Sequence, residues 1–134
     1  MTVILCLDDK NGMMFGPRRQ SQDSVLRDRI LNDCIGKRLL MNGYSHKMFS
    51  QNTENYAVCD EDFLENARAE DICFVENKDI LPYADKIERI IIYRWNKVYP
   101  ATMFFKFPKG EWRLESTAEI GGSSHDITEQ IYVR

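Results

Sequence analysis

The sequence predicts an α/β fold, with a largely parallel central sheet flanked by helices and an antiparallel C-terminal hairpin. Three observations carry that expectation. Up to residue 77, short apolar runs alternate with helical patterns, as strand–helix–strand units with a parallel sheet do. From residue 87 onward, branched and aromatic runs follow one another directly, as antiparallel strands do. The 134 residues, 43% hydrophobic and 29% charged, suffice for one core, and no repeat, low-complexity segment or linker divides them. Residues 1–134 are therefore read as a single domain.

Residues 3–7, VILCL, are apolar without alternation and end at Asp8, Asp9, Asn11 and Gly12, which predicts a strand buried on both faces and then a turn. GMMFGPRRQSQ reads as a loop. A helix follows from Asp23 to Asp33, with Ser21 or Asp23 as cap, Gly36 beyond its end, and Val25, Leu26, Ile30 and Leu31 as its apolar stripe. RLLM at 38–41 predicts a second strand and Gly43 to Phe49 a short helix. Asn55 to Cys59 is a third strand candidate, DEDFLENA a short helix capped by Asp60, and ICFVEN a fourth strand. Beyond them IERIIIYRW, MFFKF, WRLEST and QIYVR read as consecutive strands. The last two are expected to pair around Gly121 and Gly122, with Ile131 and Tyr132 on opposite faces, one buried and one more exposed.

The formal net charge of -3 gives no general attraction to phosphate backbones, so nucleic-acid binding is disfavoured. No apolar stretch is long enough to span a bilayer, and MTVILCLDD turns acidic too early for a signal peptide, so a cytoplasmic protein without membrane partners is expected. Cys6, Cys34, Cys59 and Cys73 are widely spaced and form no C-x-x-C pair, which favours free thiols packed as small hydrophobes. With only His46 and His125 present, a histidine-rich metal site cannot be built, and the clustered histidine and aspartate motif of metallo-β-lactamase-type nucleases is absent. Neither a metal nor a cofactor is expected.

VILCLDDKNGM, SQDSVLRDRI, LLMNGYSHKMF, LPYADKIERIIIYRW, VYPATMFFKFP and the ending WRLES…YVR, in this order, resemble the dihydrofolate reductase family across nearly the whole chain. They are similar to its first strand and turn, its acid-opened first helix, its strand into a phosphate-facing helix, and its C-terminal strands. The departures fall where the cofactor would bind. The family's Gly-Gly pair, which lets the backbone approach a pyrophosphate, reads Glu76-Asn77 here. The arginine after the second strand is Gly43, although Ser45 keeps a hydroxyl. The Ser-Arg element after the third strand is Cys59-Asp60, and SQNTEN has no counterpart of the arginine that grips the folate tail. NADPH-dependent reduction of dihydrofolate is therefore not expected.

In this resemblance Asp23 matches the acid that binds the pterin ring and supports proton delivery; read by itself, the residue is first a helix cap, and the resemblance brings the two readings level. Ile4, Cys6, Arg27, Phe74 and Tyr93 would surround it. Arg27 stands where the family has an aromatic residue and Tyr93 where it has a threonine, which implies a smaller, more polar pocket. Asp23 and Arg27 are also spaced as a helix-surface ion pair. Arg18 and Arg19 offer a basic loop for an anionic ligand or RNA, or are simply solvated. His125 reads as a turn residue rather than a general base, and Trp95, Trp112, Tyr99, Phe104 and Phe105 as core rather than a stacking platform. The leading expectation is a protein that binds a small polar, pterin- or nucleotide-like molecule near Asp23 without NADPH-dependent reduction. The alternatives are an enzyme, either a reductase with an altered cofactor mode or one using Asp23 in acid–base chemistry, and an interaction or RNA-associated protein using the Arg18/Arg19 loop. The sequence leaves the oligomeric state undetermined.

Overall fold

The computed structural model describes residues 1–19, 23–49, 57–123 and 126–134. Ser21, Asn55, His125 and the SQNTEN stretch lie outside the described residues. The strands are β1 (Thr2–Leu7), β2 (Gly12–Phe15), β3 (Arg18–Arg19), β4 (Leu39–Met41), β5 (Ala57–Cys59), β6 (Ile72–Val75), β7 (Arg89–Arg94), β8 (Met103–Phe104), β9 (Arg113–Gly121) and β10 (Asp126–Val133). The helices are α1 (Ser24–Asp33), α2 (Gly43–Phe49) and α3 (Phe63–Asn66), with a 3-10 segment at Leu81–Lys86.

Seven strands form the main sheet in the order β5-β4-β6-β1-β7-β10-β9. The apolar run of β1 does lie at its centre, parallel to both β6 and β7. Only β10, which pairs with β7 and β9, runs antiparallel. The IERIIIYRW strand thus continues the parallel core instead of starting the antiparallel part. Its isoleucines at 90 and 92 are fully buried, as a strand covered on both faces requires.

The segment read as a loop contains β2 and β3, which form a second, three-stranded sheet with β8. Met13 and Met14 are buried in the core, a signal masked by the surrounding Gly, Pro and Arg. MFFKF supplies only the two residues of β8 to that small sheet, and adds nothing to the main one. Val25 does not belong to the α1 stripe: it is 41% exposed, whereas Leu26, Ile30 and Leu31 are buried. Ile131 and Tyr132 do face opposite ways across a register shift, but both are half-buried, because Tyr132 packs edge-on against Phe107 with centroids 4.9 Å apart.

Alternation along the strands divides the core in two. Val3, Leu5, Leu7, Leu40, Cys73, Val75, Ile90 and Ile92 point to one face, which α3, the 3-10 segment and β2 cover. Ile4, Cys6, Leu39, Met41, Ile72, Phe74, Tyr93 and Trp95 point to the other, covered by α1 and α2. Cys6, Cys34 and Cys73 pack as buried thiols, and Cys59 is exposed. No helix among the described residues is long and apolar enough to cross a membrane.

Candidate functional site

Asp23 is the N-cap of α1, with the extended backbone a cap requires. One carboxylate oxygen accepts the Leu26 N–H at 3.1 Å. The other accepts the Ser123 N–H at 2.8 Å, from the end of β9 a hundred residues away. The side chain is therefore both a cap and a clasp, and at 1% exposure it is inside the protein rather than on a solvated helix end. A buried carboxylate keeps its charge only when such donors replace water.

The residues expected around Asp23 share one face of the sheet. Ile4, Cys6, Phe74 and Tyr93 all belong to the core cluster under α1, and each is buried. Cys6 and Tyr93 sit side by side in register on β1 and β7. Arg27, on α1, is half-buried. The side chains of Ile4, Cys6, Phe74 and Tyr93 are packed interior.

Tyr93 is also drawn into a polar contact that the sequence did not announce. Glu129 lies beside it in register on β10; burial first, then that neighbouring charge, pushes the phenol well above its usual range. Glu129 in turn receives Arg29 Nε at 3.2 Å. The hydrogen bond to Glu129 raises the Arg29 pKa further still. Glu129 precedes a stretch of alternating residues on β10, and its inward direction follows from pairing with Tyr93, which only the register fixes.

In open parallel sheets ligands bind at the carboxyl ends of the strands. There the chain fills the space with its own polar groups. After β4, Asn42 donates to Asn77 after β6 at 2.8 Å and accepts the Ser45 N–H at 3.1 Å. The first N–H of α2, at Gly43, donates to the Glu61 carboxylate at 2.7 Å. Arg19, on β3, lies 3.3 Å from the buried Glu76 carboxylate, stacks on the Tyr44 ring at 4.4 Å and donates to the Tyr44 carbonyl. Arg18 alone of the pair is exposed.

Asp8 is a buried carboxylate that the sequence reading treated only as part of a turn. Its oxygens accept the N–H groups of Lys10, Gly12 and Tyr99, at 2.9, 2.7 and 3.2 Å. It leaves no room for a side chain at position 12, where an added Cβ would come within 2.6 Å of the carboxylate. Asp8 therefore shapes the β1–β2 turn. Among the described residues no group of three or more His, Cys, Asp or Glu could hold a metal ion.

No protein-family model matches the sequence, and no curated protein matches it significantly. Similarity emerges at the level of structure. The chain is similar to dihydrofolate reductase from Enterococcus faecalis, solved as a complex with NADP(H) and RAB-propyl, with a TM-score of 0.68. The match covers 99% of this chain and 95% of that one, at 8% sequence identity. The fold is dihydrofolate reductase-like, mostly parallel with the β9–β10 antiparallel hairpin.

Proposed function

We propose that this protein uses a dihydrofolate reductase-like scaffold to bind a small polar, pterin- or nucleotide-like molecule beside Asp23, and that it does not reduce that molecule with a nicotinamide dinucleotide. The observation that carries the second half is the Glu61 carboxylate on the Gly43 N–H, together with the buried Arg19–Glu76 pair. A dinucleotide phosphate brought to these positions would meet carboxylates, and like charges repel most strongly where water is excluded. Arg19 is an anion-binding residue spent on an internal anion. Turned inward, it also leaves the basic-loop alternative with Arg18 alone.

The first half is supported by the fold and by the seating of Asp23, a buried carboxylate at the start of α1, the helix whose Leu26 packs into the cluster holding Ile4, Cys6, Phe74 and Tyr93. A polar ring would bind by exchanging its own donors for those Asp23 now accepts, the Ser123 N–H being the more replaceable because it comes from a turn. Differential scanning fluorimetry against pterins and nucleosides tests the reading. Binding to the native state raises the melting temperature, by an amount that grows with ligand concentration. The expected outcome is a saturable rise with at least one pterin or nucleoside that Asp23→Asn abolishes, alongside no saturable calorimetric heat with NADPH. Tight NADPH binding would overturn the proposal.

A further inference from the structure

A cavity lies on the α1 face of the sheet, at the amino-terminal ends of the parallel strands. It has a volume of about 280 Å³ and is bounded by the starts of β1, β6 and β7, the end of α1, and β10. Its floor is apolar: Ile72, Ile91 and Ile131 come from three strands, and the register sets Ile91 directly beside Ile131. Two cationic residues, Lys37 and Arg89, stand among its walls. Gly36 makes Lys37 available there, since its φ of +84° turns the chain sharply after α1 and carries it back toward β4.

The charges around this cavity are unevenly satisfied. Glu129 is paired with Arg29, so its negative charge is already compensated. Arg89 reaches the Glu115 carboxylate with its NH2 group at 3.4 Å. Its Nε, however, is buried and has no acceptor. A guanidinium offers donors in a planar fork suited to a carboxylate, and a buried donor left without an acceptor is destabilising. Asp33, the remaining acidic wall, is exposed on the last turn of α1, so water screens it.

We propose that this cavity is a binding site for a small monocarboxylate with a branched or aromatic apolar body. The body would rest on Ile72, Ile91 and Ile131. The carboxylate would accept from Arg89 Nε and pair with Lys37. The volume admits a molecule the size of a phenylpropanoate, smaller than most pocket ligands. The apolar floor argues against inorganic phosphate, which would leave the isoleucines wet. This site is separate from the one at Asp23 and stands or falls independently of it.

The test is a titration of the full chain with 3-phenylpropanoate, followed by amide chemical shifts, with 3-phenylpropanamide and inorganic phosphate as controls. The expected result is saturable shifts centred on Ile91, Ile131 and Arg89 with the acid only. Affinity should fall about tenfold in Arg89→Gln and in Lys37→Ala, which is the size of a charge-assisted hydrogen bond. Asp23→Asn should leave it unchanged, which separates this site from the other. Equal binding of the amide, shifts elsewhere in the molecule, or no saturation at about 10 mM acid, a ceiling set by the weakest useful affinities, overturns the proposal. If Arg89→Gln fails to fold, Lys37→Ala decides alone, because Lys37 is exposed.

Discussion

The amino-terminal ends of α1 and α2 both meet a carboxylate, yet they obtain it differently. At α1 the carboxylate is the helix's own cap, Asp23, whose spare oxygen reaches the distant Ser123 N–H. At α2 it comes from Glu61, eighteen residues further along and carried past the end of β5. The first arrangement buries an anion that ties its own helix start to a backbone N–H a hundred residues away. The second fills the α2 helix end from within, and Arg19 on β3 pairs with Glu76, which follows β6. One helix start is thus tied by a long-range backbone contact, and the other is covered by a carboxylate from a distant segment.

The sharpest way to break this contrast is to remove the internal cation. Arg19→Leu strands the buried Glu76 carboxylate beside fewer donors, and the expected loss is about 3 kcal/mol in urea unfolding, the cost of splitting a buried pair. Arg18→Leu, one residue away and exposed, should stay within about 0.5 kcal/mol. Equal effects from the two variants would mean that the Arg19–Glu76 pair does not close the site.

A smaller loss is expected at the other helix. Asp23→Ala removes the cap and the Ser123 clasp together, for about 2 kcal/mol, whereas Asp23→Asn retains a cap and should lose about half of that. Hydrogen exchange at Ser123 adds the specific readout, since its amide should lose protection in the alanine variant. Unchanged protection there would show that the clasp is dispensable.

The acid limb of stability tests a third, structural pair away from either helix end. Arg38 holds the Asp71 carboxylate below its usual range, chiefly through hydrogen bonds at 3.0 and 2.6 Å. A carboxylate whose folded pKa is depressed adds stability that is complete above its unfolded pKa of about 4 and is lost as pH falls through the folded value. Urea stability should therefore drop less steeply below about pH 4 in Asp71→Asn than in the parent. Parallel profiles would remove the pair from the account of acid stability.

The smallest effect is chemical rather than energetic. Burial pushes the Cys34 and Cys73 thiols up to about 12, so neither forms appreciable thiolate near neutral pH. Cys59 is exposed on β5. Alkylation of the native protein should modify Cys59 first, read by mass spectrometry, with Cys34 and Cys73 reacting only on unfolding. Early labelling at Cys34 would show that α1 opens at its end.

Local pattern alone placed β1, α1, β4, α2 and the hairpin, because apolar runs, a capping aspartate and turn glycines are signals carried by neighbours in the chain. The same signals misread Gly12 to Arg19 as a loop. The small sheet there depends on a partner strand at Met103, some ninety residues away, and no local pattern reports it. The resemblance to dihydrofolate reductase singled out Asp23 with Ile4, Cys6, Phe74 and Tyr93, and strand alternation puts those four on one face. The resemblance to dihydrofolate reductase marked Glu76, Asn77 and Gly43 as departures. What occupies the space they leave was decided by tertiary structure. Glu61 on Gly43, Arg19 on Glu76, and Glu129 between Tyr93 and Arg29 are contacts between residues far apart in the chain, and an ionisable side chain's partner is set by the position of its backbone in space.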